Sequence, residues 1–182
     1  MKMAKKLLAL VLTGVMAMSV LTGCGSTASS QAAGKLEGML RKANSEATVE
    51  DGGKALANTV IGAVAENGKI KTQNKIDEIR AVKAVLPANN NDTYVWYTYF
   101  KAEGKNKTDK AQAIADAMLK EGTDGTVTIN DYKAVNGVTL TNIKKYKPGN
   151  AFVLSMNEFT VKETNGSETV YIMAVVTCKG VK

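Results

Sequence analysis

The stretch Val170-Tyr171-Ile172-Met173-Ala174-Val175-Val176-Thr177-Cys178 decides the fold. It contains no charged residue, glycine or proline and is rich in β-branched side chains, a composition that predicts a strand. A strand that is apolar without interruption is typical of one buried on both faces. The stretch therefore predicts a central strand.

A hairpin turn precedes this strand. Asn165-Gly166 stands between Phe159-Thr160-Val161 and Val170, and Asn-Gly favours a two-residue loop. The register predicted by such a loop pairs Thr164 with Ser167, Val161 with Val170, Phe159 with Ile172, Ser155 with Val176 and Val153 with Cys178. One face of the hairpin is then apolar. We expect Cys178 to be a small core residue on that face and not a redox thiol.

Two other segments carry strand signals. Residues 93–100 (TYVWYTYF) are aromatic and β-branched, and strand alternation places Tyr94, Trp96 and Phe100 on one face and Tyr97 and Tyr99 on the other. Asn136-Gly137, between residues 132–135 and 138–140, predicts a second hairpin.

Four segments show apolar residues at helical spacing. The buried stripes are Leu36, Met39, Leu40 and Ala43; Leu56, Val60, Ala63 and Val64; Ile76, Ile79, Val82, Val85 and Leu86; and Ala111, Ile114, Ala115, Met118 and Leu119. The second helix is capped by Thr48 and stopped at Asn67-Gly68, the third lies between Asn74 and Pro87, and the fourth covers residues 109–121 after Thr108. The prediction is an α+β domain: about three N-terminal helices, then an antiparallel sheet of about five strands with one inserted helix.

Residues 1–23 have the pattern of an export signal. Lys2, Lys5 and Lys6 precede an apolar stretch over residues 7–21, and small residues follow. The apolar stretch is shorter than the roughly 20 residues that a membrane-spanning helix needs. We expect this segment to be removed rather than retained as an anchor.

The segment ends in Leu21-Thr22-Gly23-Cys24, an aliphatic residue, two small residues and a cysteine. This box resembles that of the bacterial prolipoproteins. The resemblance implies a diacylglyceryl group on Cys24, cleavage just before Cys24, and a lipid-anchored protein on the extracytoplasmic face of a bacterial membrane. The alternative is an ordinary secretory peptide with a cysteine there by chance.

The boundaries of the domain follow from this signal. Residues 24–34 comprise the lipidated cysteine and a tract of small, uncharged residues, GSTASSQAAG, which predicts a flexible tether. Residues 35–182 have the length of one domain.

The composition excludes several kinds of site. There is no histidine, so Ser-His-Asp and Cys-His nucleophilic sites and histidine-containing zinc sites are excluded. Two cysteines are too few for a thiolate cluster. The sequence predicts no metal and no cofactor.

Two groups of residues are candidates for contacts with a ligand. Tyr94, Trp96, Tyr97 and Tyr99 form either a stacking surface for a sugar or peptide or part of the packing beneath the inserted helix, and packing is the favoured alternative. Lys133, Lys144, Lys145 and Lys147 either contact anionic lipid or wall polymer or form a solvated sheet edge, which is the favoured alternative.

The net charge is +7, and it falls to +4 when the three lysines of the export segment are removed. We do not expect a nucleic-acid partner for an exported domain of this charge. Carboxylates are the acid-base groups left for hydrolysis, and no spacing predicts two of them facing each other across a sugar. The sequence therefore favours a non-catalytic binding or structural module of the cell envelope. The alternative is a carboxylate-dependent, glycan-acting hydrolase.

Overall fold

The computed structural model describes residues 25–86, 93–129 and 147–181. In chain order the elements are α1 (Gly25–Leu40), β1 (Thr48–Asp51), α2 (Ala55–Val64), β2 (Ala65–Glu66), β3 (Lys69–Ile70), α3 (Lys75–Val85), β4 (Thr93–Lys101), α4 (Lys107–Met118), β5 (Leu119–Glu121), β6 (Val127–Ile129), β7 (Lys147–Lys162) and β8 (Glu168–Val181). The main sheet has four strands in the order β1-β7-β8-β4. The mixed α+β class predicted from the sequence is confirmed.

Strand β8 is central, as its apolar run predicts. It pairs antiparallel with β7 on one side and with β4 on the other. Its residues from Ile172 to Val176 are all buried. Successive side chains of a strand point to opposite faces, so both faces of the sheet are covered at this strand.

The four helices found in the described residues lie on both faces of the main sheet. Helices α1 and α4 cover a cluster that contains Leu36, Ile114, Phe152 and Val176. Helices α2 and α3 cover the other face, where Val60, Val82, Met173 and Val175 pack together. The sheet is therefore the middle of three layers, and the helices do not form a separate N-terminal layer.

The main sheet differs from the five-stranded antiparallel sheet expected from the sequence. Residues 48–51, interpreted there as the start of a helix, form β1 and pair parallel with β7. Val49 lies beneath α1, and its backbone N–H donates to Glu37. Two glycines, Gly52 and Gly53, then end the strand. The Asn136-Gly137 hairpin lies outside the described residues.

The β7–β8 register differs by one residue from the prediction. Gly166 N–H donates to Glu163 O, Glu163 N–H donates to Ser167 O, and Gly166 has a φ of 83°. The loop is thus a three-residue turn with glycine in the left-handed position, and not a two-residue loop. Phe159 pairs with Tyr171, and Phe152 lies opposite Cys178.

Helix α1 includes residues 25–34, which the sequence predicts to be a flexible tether. Ala32 and Ala33 are buried in the core beside Leu36. Their small side chains let α1 approach its neighbours closely, and alanine favours the helical backbone. The turn of α1 before Ala32 is held by Asp51 of β1. Ser29 Oγ donates to Asp51 Oδ1 at 2.9 Å, and Ser30 Oγ donates to Asp51 Oδ2 at 2.7 Å.

The remaining helices agree with the sequence except at their ends. Helix α3 begins after Asn74, whose side chain caps it as expected. Helix α4 is capped by Asn106 instead of Thr108, in a reciprocal box with Asp109. It ends at Met118 because residues 119–121 pair with β6. Asn67-Gly68 forms the turn between β2 and β3.

The N-cap residue of α2 does not cap the helix, and Ser155 of β7 does so instead. Lys54, at the N-cap position, makes no side-chain hydrogen bond to the helix. The buried hydroxyl of Ser155 accepts from Ala57 N–H at 3.1 Å and donates to Gly53 O at 2.8 Å. The first turn of α2 is therefore tied to the sheet.

Replacing Ser155 with alanine leaves Ala57 N–H and Gly53 O without this partner. We expect the free energy of unfolding to fall by about 1–2 kcal/mol, the usual cost of losing a cap or a buried hydrogen bond. Urea unfolding measures the change. Ser45→Ala, at an exposed loop position, is the matched control. Equal stability of the two variants would contradict the capping role.

Asp51→Ala tests whether the carboxylate pins the start of α1. Hydrogen bonds to a charged group contribute about 1.5–3 kcal/mol, so backbone amides near Ser29 and Ser30 should exchange at least about tenfold faster. Hydrogen exchange read by mass spectrometry measures this. Glu50→Ala removes the neighbouring exposed carboxylate and should leave the exchange rates unchanged; equal acceleration in both variants would refute the assignment.

Candidate functional site

Two of the four aromatic residues proposed as a ligand surface are core residues. Tyr94 and Trp96 are 2% and 3% exposed and belong to the cluster beneath α1 and α4. Their rings stack with centroids 5.6 Å apart, and Trp96 also contacts Phe152. Because helices cover this face of β4, these two rings are excluded from any ligand surface.

Tyr97 and Tyr99 lie on the opposite face of β4, half-buried beside α3. The hydroxyl of Tyr97 donates to Glu78 Oε1 and that of Tyr99 to Oε2, each at 2.9 Å. Lys75 pairs with the same carboxylate, and its Nζ stands 4.9 Å and 5.7 Å from the centroids of the two rings. We call Lys75, Glu78, Tyr97 and Tyr99 the Glu78 cluster.

Glu78 is buried, with 3% of its surface exposed. An unpaired carboxylate at such a position would cost several kcal/mol. Two phenol hydroxyls and an ammonium group offset that cost, and they hold the first turn of α3 on β4. The burial of Glu78 has a signal in the sequence. Glu78 and Val82 are four residues apart and so share one helix face, and Val82 is buried.

Two more rings extend the cluster along the sheet. Tyr99, Phe159 and Tyr171 contact one another with centroids 5.8–6.1 Å apart, and all three are half-buried. Burial raises the pKa of Tyr99 to about 12, aided by the hydrogen bond to Glu78 and by its charge. Tyr99 therefore stays a neutral hydrogen-bond donor at physiological pH.

Two further carboxylates, those of Asp51 and Asp109, accept hydrogen bonds that stabilise the fold. Partial burial raises the pKa of Asp51, but hydrogen bonds from Ser30, Gly53 N–H and Ser29 outweigh it and lower the pKa below the ordinary value. Asp109 accepts from Asn106 N–H in the cap of α4. In residues 25–86, 93–129 and 147–181, no three histidine, cysteine, aspartate or glutamate side chains are grouped to hold a metal ion.

The other candidates from the sequence fall into two groups. Cys24, Lys133, Lys144 and Lys145 lie outside the described residues, whereas Lys147 is exposed at the start of β7. Cys178 is buried on the apolar face, and desolvation raises the pKa of its thiol to about 11. This thiol is therefore protonated at neutral pH and belongs to the core, as expected.

The comparisons identify no relative. No protein-family model matches the sequence, and neither a curated protein nor a solved structure matches the chain. Within the described ranges, no helix is both long and apolar enough to cross a bilayer.

Tyr99→Phe removes a hydrogen bond to Glu78 and should lower the free energy of unfolding by about 1–2 kcal/mol at pH 7. The folded-state pKa of about 12 exceeds the ordinary value of 10.0, so the folded protein holds this proton more tightly. The contribution is complete below pH 10 and is lost as the pH rises toward 12. The difference in the free energy of unfolding between wild type and variant should therefore shrink between pH 10 and pH 12.

Urea unfolding of both proteins at several pH values measures this difference. Tyr171→Phe is the matched control, because the hydroxyl of Tyr171 is 3.5 Å from Glu163 and makes a longer contact with an acid. We expect a smaller loss from the control. A difference between wild type and Tyr99→Phe that stays constant from pH 7 to 11.5 would contradict the assignment.

Proposed function

We propose that this protein is a lipoprotein of the extracytoplasmic membrane face, attached through a diacylglyceryl group on Cys24. The observation that carries the proposal is the box Leu21-Thr22-Gly23-Cys24, which follows a basic start and an apolar stretch in the order typical of prolipoprotein signals. Two acyl chains suffice for stable anchoring where one gives marginal binding.

We further propose that the anchored domain is a non-catalytic binding or structural module. Glu78, Asp51 and Asp109 each accept hydrogen bonds from the chain's own groups, so these carboxylates serve the fold. Retaining and inverting glycosidases need two carboxyl groups, about 5–10 Å apart, that face the sugar. With no histidine as a substitute, the favoured role is binding.

A ligand of such a module would meet a smaller aromatic surface than the sequence predicts. Tyr94 and Trp96 are excluded, and the half-buried rings of Tyr97 and Tyr99 remain, with Phe159 and Tyr171 beside Tyr99. Flat apolar rings that carry hydroxyl groups suit the faces of sugars and peptides. We propose an envelope glycan, peptide or protein as the class of ligand.

The anchor is tested by Cys24→Ala, expressed from the full chain in a bacterium with the lipoprotein pathway. We expect the acyl group to be lost and the protein to leave the membrane fraction. Mass spectrometry of the N-terminal peptide and fractionation measure these two results. Cys178→Ala is the matched control, since it removes the other cysteine and should stay acylated. An acylated, membrane-bound Cys24→Ala protein would refute the proposal.

A further inference from the structure

Few residues separate the proposed anchor from the part of α1 that is held on the domain. The described part of α1 begins at Gly25, the residue after Cys24 in the sequence, and Asp51 holds Ser29 and Ser30 of this helix. Four residues of helix span about 6 Å. The acylated residue of the proposed lipoprotein would thus lie close to the end of β1, and the domain would sit at the bilayer surface.

The direction of α1 tells which end of the domain faces the bilayer. Helix α1 runs antiparallel to β1, because Ser29 contacts Asp51 while, further along, Arg41 donates to Ala47 O at 3.0 Å. Strand β1 is parallel to β7. The end of β1 lies level with Leu154, midway along β7, and the start of α1 is directed from there toward the end of the sheet where β7 finishes. We call that end of the sheet the anchor end.

The connection between β4 and α4 lies at the same end. Strands β4 and β7 both run antiparallel to β8, so β4 also finishes at the anchor end. A loop of five residues, 102–106, then leads into α4, which packs beside α1. Because α4 packs beside α1 and both helices begin toward the anchor end, residues 101–110 lie on the same side of the domain as the start of α1.

Residues 101–110 carry a positive charge. Their basic residues are Lys101, Lys105, Lys107 and Lys110, and the exposed ones are Lys101 and Lys107. Asp109 is one of the two acidic residues, and its carboxylate is bound within the cap of α4; the other is Glu103. The segment keeps a net charge of +2.

The β7–β8 turn is the tip of a hairpin that extends eight residues beyond the level of Leu154, and it has a different charge. It carries Lys162, Glu163 and Glu168, and Lys162 lies 3.9 Å from Glu168. Its net charge of −1 would repel an anionic surface, whereas the net charge of +2 on residues 101–110 would attract one.

We propose that residues 101–110 contact anionic lipid headgroups when Cys24 is acylated. This inference rests on the proposed function and adds to it the face of the domain that meets the lipid. A basic segment beside an acyl anchor is favourable because each lysine near an anionic membrane surface contributes about 1 kcal/mol, or about fivefold in binding. Lys147 lies at the opposite end of β7 and would point away from the bilayer.

The test uses the acylated protein in vesicles with and without anionic lipid. A membrane-impermeant amine reagent modifies exposed lysines, and mass spectrometry gives the extent at each position. We expect Lys105 and Lys107 to react at least about threefold more slowly on anionic than on zwitterionic vesicles. Lys42 and Lys147, both away from the anchor end, should react equally on the two and serve as internal controls. High salt should abolish the protection.

A pair of matched variants sharpens the test. Lys105→Gln with Lys107→Gln should reduce the protection of Lys101 at least twofold, whereas Lys42→Gln with Lys147→Gln should leave it unchanged. Vesicle flotation and the mass of the N-terminal peptide are measured on the same samples. Loss of flotation and of the acyl group would overturn the proposed anchor.

An acylated protein that floats with the vesicles, yet whose Lys105 and Lys107 react equally on both lipids, would overturn the inference alone. Protection of Lys147 in their place would overturn it as well, because the opposite end of the domain would then face the lipid.

Discussion

Both faces of β8 are apolar, and neither can be left in water. Exposing Met173 and Val175 alone would cost about 3–6 kcal/mol, a large part of the roughly 5–15 kcal/mol by which a domain is stable. The chain must therefore supply helices to both faces of the sheet. It does so with α1 and α4 on one face and α2 and α3 on the other.

Because one chain supplies helices to both faces, it has to cross the sheet, and the segments that cross must be held in place as firmly as the helices. The chain leaves α1, forms β1, turns at Gly52 and Gly53, and enters α2 on the other face. The polar contacts of this crossing are made to the sheet: Ser155 caps α2, and Asp51 receives the hydroxyls of Ser29 and Ser30. Glu78 fastens α3 to β4 in a similar way.

The elements that the sequence predicts correctly are those with a local cause. The run in β8, the aromatic alternation of β4 and the Asn74 cap of α3 all depend on neighbouring residues. The β7–β8 register was missed because Asn165-Gly166 fits a two-residue loop and also the last two positions of a three-residue loop. Nothing local to Thr48–Asp51 reveals a parallel partner some 100 residues away.

The same limit applies to the candidate surfaces. Alternation correctly separates Tyr94 and Trp96 from Tyr97 and Tyr99, yet which of these rings is covered depends on where distant helices pack. Because helices cover both sheet faces, the fold leaves edges, ends and partly covered rings for contacts with other molecules. Helices cover the middle of the sheet on both faces, so contacts with a partner would be made by loops and strand ends. In a lipid-anchored protein, the end nearest the attachment residue would meet one partner, the bilayer, continuously. The fold decides which residues lie at that end, and the proposed location decides that these residues would face lipid.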